Sequence, residues 1–98
     1  SIPSLLSLAG MKAFALNRRA KWKDYVDLYF IMKDHYSIKE IIKKAGDIFG
    51  SAFNSQLFRQ QLSYFDDINY TEKVEYIGEP LEDEIIKVFL TDKSFSPF

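Results

Sequence analysis

Apolar and polar residues follow one another along this chain with a helical period, and five helices come out of the pattern. The first is expected over residues 5–17, with Ser4 as its N-cap behind Pro3. At about 100° per residue, Leu5, Leu8, Ala9, Lys12 and Leu16 share one face, while Met11 and Phe14 fall opposite. A helix apolar almost all round predicts burial on two sides. The second is expected over 22–35, with Tyr25, Leu28, Tyr29, Met32 and Tyr36 inward and Val26 and Phe30 widening the stripe. The third, 37–49, has the clearest start. Ser37-Ile38-Lys39-Glu40 reads as a capping box, each end hydrogen-bonding the backbone of the other. Ile38, Ile41, Ile42, Ala45, Ile48 and Phe49 form its buried face, and Gly50 is a natural stop. The fourth, 55–66, turns Leu57, Phe58, Gln61, Leu62 and Phe65 inward and ends at Asp66-Asp67. Residues 68–79 read as an extended loop or a short strand. Pro80 then opens the last helix, 80–91, with Glu82, Asp83 and Glu84 at its positive end. Leu81, Ile85, Val88 and Phe89 are expected inward, with Ile86 and Leu90 at the margins and a frayed tail beyond.

The expected fold is all-α: a small bundle of four to five short helices in a single domain, 1–98. Short connections favour antiparallel neighbours. Composition narrows the function. A hydrophobic fraction of 47% supports a modest core. Thirteen basic and 14 acidic residues leave a net charge of -1, which argues against a uniformly basic nucleic-acid binder and leaves room for a local patch. With no cysteine there is neither a disulfide framework nor a thiolate metal site, which fits a reducing, cytoplasmic setting. No apolar run reaches the roughly 18 residues of a membrane span, so no membrane partner is expected. The opening Ser1-Ile2-Pro3 lacks Met and runs at once into a helix, and is read as the start of a piece of a longer chain.

Three groups of residues stand out chemically. Lys12 sits between Leu8 and Leu16 on an apolar stripe, where an ammonium needs water or an anion. It either snorkels to solvent or serves as a phosphate ligand on a rigid helix. Because it removes an awkwardly placed charge, Lys12→Ala is expected to leave the fold intact or slightly more stable. Asp24 and Asp27 are spaced i, i+3 and share a helix face. Two like charges there repel unless Lys12, Lys21, Lys23 or a metal offsets them, and they either complement the helix dipole or act as a catalytic base or metal–phosphate contact. Arg18, Arg19, Lys21 and Lys23 surround Trp22 in a run that either is a solvated face or grips RNA phosphates and stacks a base. His35, the only histidine, has no metal-binding or triad context and reads as structural. Gly50-Ser51 lies between helices, and no Asp-x-Asp occurs in the chain, so no metal site is expected within it.

Met11-Lys12-Ala13-Phe14-Ala15-Leu16, then Arg19-Ala20-Lys21, then Lys23-Asp24-Tyr25-Val26-Asp27-Leu28-Tyr29-Phe30 resemble the AbiEii/AbiGii toxin family of nucleotidyltransferases. Tyr64-Phe65-Asp66-Asp67, followed by Pro80 and an acidic last helix, extends the resemblance over nearly the whole chain. It implies transfer of a nucleotide from an NTP with Mg2+ to an RNA acceptor such as tRNA, and a cognate antitoxin as partner. By the same resemblance Lys12 and Lys23 contact nucleotide phosphates, and Asp24 or Asp27 is the catalytic acid, Asp27 preferred. The family's Gly-Ser and Asp-x-Asp half has no counterpart in these residues. The chain is therefore expected to be the C-terminal helical half of such an enzyme, without cofactor and inactive alone. The competing expectations are a non-enzymatic helical protein-interaction module and a stand-alone RNA binder using Arg18, Arg19 and Lys21.

Overall fold

A computed structural model describes residues 4–66, 68–70 and 82–95. It is all-helical, as the periodicity predicts: α1 (Leu5–Arg18), α2 (Trp22–Asp34), α3 (Ile38–Phe49), α4 (Ser55–Gln61) and α5 (Asp83–Ser94), with a 3-10 turn, Gly50–Ala52, between α3 and α4. The two caps read from sequence are in place: Ser4 accepts from the Ser7 amide, and Ser37 with Glu40 completes the capping box. Asn54, accepting from the Leu57 amide, caps α4 as well. Gly50 takes φ +57, a conformation that an L side chain rarely adopts, and α3 stops there.

The helix α1 is the centre of the bundle, packed against α3, α2 and α4, and α5 rests on α2. Its buried face differs from the expected one. Ala9, Gly10, Ala13 and Leu16 are buried, whereas Leu5, Leu8 and Met11 are 36%, 39% and 37% exposed. The reason is close helix approach: a Cβ on Gly10 would lie 3.2 Å from the Ala45 amide nitrogen. Small residues let α1 and α3 nearly touch, and the larger side chains are left on the flank. Farther along the same pair, Phe14 stacks on Phe49 with centroids 4.0 Å apart, while Ile48 is 41% exposed rather than buried.

Polar groups pin α4 to α1. Asn17 donates to Gln61 Oε1 at 3.2 Å and accepts from the Asn54 amide at 2.7 Å, and Gln61 Nε2 donates to the Leu16 carbonyl. The helix ends at Gln61, five residues before its expected end at 66. The chain bends there so that Phe65 can reach the Trp22 and Tyr25 rings, at 6.4 and 5.8 Å. Farther on, Asn69 makes a parallel bridge to Lys21. The Asn69 amide donates to the Ala20 carbonyl and the Trp22 amide to the Asn69 carbonyl. Most of the stretch expected as loop or strand, and the expected start of the last helix at Pro80, lie outside the described residues.

The last helix is turned relative to expectation. Ile86 and Leu90 are fully buried, while Ile85 and Val88 are 49% and 67% exposed. It also runs on to Ser94, where a frayed tail was expected. Two apolar stripes compete on this helix. The stripe that contains Ile86 and Leu90 wins because it brings Phe89 edge-on to Tyr29 at 5.0 Å, and sets the Lys87 ammonium over the Trp22 and Phe65 rings at 5.8 and 5.6 Å.

Candidate functional site

The antiparallel pairing of α1 and α2 brings Lys12 opposite the first turns of α2. Its Nζ lies 3.1 Å from Asp24 Oδ1 and 2.8 Å from Asp27 Oδ2. One ammonium thus bridges two carboxylates that share a helix face. The side chains of Lys12 and Asp24 are 18% and 16% exposed and that of Asp27 is 36% exposed, so Asp27 offers the cluster's accessible oxygens. Burial pulls the Lys12 pKa down, but the hydrogen bonds and charges of Asp27 and Asp24 outweigh it, and the net position is above 10.5. Lys12 therefore neither stands alone nor escapes to water. Its removal would leave two neighbouring carboxylates unneutralised, so the expectation that Lys12→Ala is harmless to the fold is revised: the charge is held, and it holds others.

The cluster opens onto a groove of about 330 Å³ between the first half of α1 and the second half of α2. Leu5, Leu8 and Phe30 supply its apolar wall, Ile31 its base, and Asp27, Asp34 and His35 its polar rim. Of these, Asp34 is not singled out by the sequence, His35 reads there as structural, and Phe30 belongs to the motif from Lys23 to Phe30. The signal was present: residues 27, 30, 31 and 34 recur at i+3, i+4 and i+7, one face of α2 that mixes apolar and acidic groups. His35 occupies the C-cap of α2 and borders this groove as well as a larger cleft of about 540 Å³ toward α3.

The other residues singled out from sequence do not join the cluster. Lys23 is exposed on α2. Arg18 and Arg19 are exposed at the end of α1, with the Arg18 guanidinium 5.9 Å from the Phe14 ring centroid. Lys21 sits at the bridge to Asn69. Trp22 is only 4% exposed, enclosed by Tyr25, Phe65 and Tyr70, which removes it as a platform for stacking a base. Tyr25, beneath it, is fully buried, and burial together with the nearby Tyr70 pushes its phenol well above the ordinary range. Gly50-Ser51 lies in the 3-10 turn, and Asp83 and Glu84 occupy the first turn of α5, where the dipole favours them.

The donor set does not fit Mg2+ on its own. Two carboxylates already share an ammonium, and among the described residues no group of three or more His, Asp or Glu is arranged to hold a metal ion. Nor is any helix among them long and apolar enough to cross a membrane. What the arrangement can do is hold an accessible carboxylate, Asp27, at a fixed position beside a cation, ready to accept a proton or a hydrogen bond. In comparisons with known proteins, no family model matches the chain, and no curated protein or solved structure does.

Proposed function

We propose that this chain is the helical portion of a nucleotidyltransferase of the AbiEii/AbiGii toxin type. The complete enzyme would move a nucleotide from an NTP to an RNA acceptor such as tRNA, in the cytoplasm, under control of a cognate antitoxin. One observation carries the reading: Lys12 and the pair Asp24 and Asp27, from the two motifs behind the resemblance, meet within 3.1 Å although a turn separates them in the chain. Asp27, with the more exposed carboxylate, accepts the proton of the acceptor hydroxyl as its oxygen bonds to the α-phosphorus of the NTP and pyrophosphate leaves. Lys12 positions that carboxylate and offers its ammonium to the phosphates of the incoming nucleotide. Asp24, more deeply set, holds Lys12 on the α2 side. The metal and the triphosphate cradle belong to the Gly-Ser and Asp-x-Asp half that the family carries.

The isolated chain with labelled NTP, Mg2+ and tRNA is expected to give no labelled product. Joined to a nucleotide-binding half of that family, it should give product, and Asp27→Asn should remove it while circular dichroism shows an unchanged helical fold. Labelled RNA from the isolated chain, or full activity of Asp27→Asn in the joined protein, would overturn the assignment.

A further inference from the structure

The groove beside Lys12 combines two properties that together select a partner. Its wall is apolar and open: Leu5, Leu8 and Phe30 are large side chains, 36–39% exposed, facing one another across α1 and α2. Exposed apolar residues scattered singly need no explanation, but three that line one concavity form a contact surface. Its rim is acidic. Lys12 is already shared by Asp24 and Asp27, and Asp34 adds a third carboxylate, so three carboxylates stand against one ammonium, a net of two negative charges. The helix α2 also ends here, and the carbonyl end of its dipole adds further negative potential. Along Asp27 and Asp34, away from Lys12, an acidic peptide or an acidic lipid surface meets repulsion, whereas cationic side chains are favoured.

We infer that this groove docks a cationic amphipathic helix of a partner protein, with apolar anchors between Leu5, Leu8 and Phe30 and Lys or Arg side chains over Asp27 and Asp34. Helix-in-groove recognition uses anchors at i, i+3 or i+4, and i+7, and two antiparallel helices with an apolar furrow between them offer that geometry. A segment seated there covers Asp27 and Lys12, whatever chemistry those two residues carry. The charged rim sets partner choice and the apolar wall supplies the burial.

A fluorescein-labelled synthetic peptide tests this: about four helical turns, with Leu on one face and Lys on the other. It is titrated against the intact chain by fluorescence anisotropy, beside a scrambled peptide of equal charge and a version with Glu for every Lys. The amphipathic Lys peptide should bind, more weakly as salt rises, and by about tenfold or more over both controls. Leu8→Ser should abolish that preference over the scrambled peptide. Asp34→Lys should weaken the Lys peptide and strengthen the Glu peptide. Helicity by circular dichroism guards against misfolding, and the two variants sit on different helices, so each checks the other. Equal binding of amphipathic and scrambled peptides would overturn the inference. So would indifference to both substitutions, or a chain dimer by sedimentation that Leu8→Ser dissolves.

Discussion

Lys12 shows how a residue that looks misplaced in a helical pattern can be held by its surroundings. An ammonium on an apolar stripe is unfavourable until anions reach it, and Asp24 and Asp27 both do. The pair in turn would repel itself without Lys12. Lys12→Ala should therefore destabilise the fold by about 1–2 kcal/mol, between the worth of an exposed pair and a buried one. At about 4–8 °C per kcal/mol, thermal melts should resolve that loss. The sign of its pH dependence follows from linkage. Lys12 has a raised pKa in the folded protein, so its contribution is complete below the unfolded value and is lost as pH rises past 10.5. The stability gap between wild type and Lys12→Ala should hold at neutral pH and close in alkali. A gap that persists with Lys12 deprotonated would mean that the stem, not the charge, holds the fold. Each of these residues was legible in the sequence as a type and a spacing. That Lys12, among Lys12, Lys21, Lys23 and a metal, is what offsets the two carboxylates was not, because the three-dimensional pairing of two helices decides it.

Two glycines on the facing helices α1 and α3 separate local propensity from packing. A glycine inside a helix costs about 0.5–1 kcal/mol relative to alanine. At Gly46 an added Cβ would meet nothing within 4 Å, so Gly46→Ala should stabilise by about that amount. At Gly10 the same methyl would press on the Ala45 backbone at 3.2 and 3.4 Å, and backbone on a packed helix yields little. Gly10→Ala should therefore lose the propensity gain, and Gly10→Val should lower the melting temperature clearly. Equal stabilisation at both sites would mean that α1 and α3 are more loosely packed than their geometry requires. The caps at Ser4 and Ser37 could be read in advance because a cap needs only its own first turn. The end of α4 could not, because Phe65 leaves the helix for rings contributed by α2.

The whole molecule closes around aromatic contacts between distant parts of the chain. Trp22, the only tryptophan, is covered by Phe65 and Tyr70 and lies under Lys87 of α5. Its fluorescence therefore reports the docking of α5 on α2. Leu90→Ala removes a fully buried side chain and should cost about 2–4 kcal/mol, whereas Val88→Ala, at 67% exposure, should stay within about 0.5 kcal/mol. Equilibrium unfolding followed by Trp22 emission and by helicity should give one coincident transition, shifted by the first substitution only. The reverse order of the two effects would restore the rotation of α5 that periodicity alone favours.

Local rules carried the helical class, the caps, the stop at Gly50 and the pairing of Asp24 with Asp27 on one face, because each depends on neighbours within a turn or two of the chain. Tertiary packing chose between alternatives that those rules leave equal. It chose which face of α1 is buried, through the small residues that let α3 approach, and which stripe of α5 docks, through Tyr29. It also turned a stranded lysine into the bridge between two carboxylates. Those choices depend on contacts between helices far apart in sequence, and no residue's own periodicity encodes the surface it will meet.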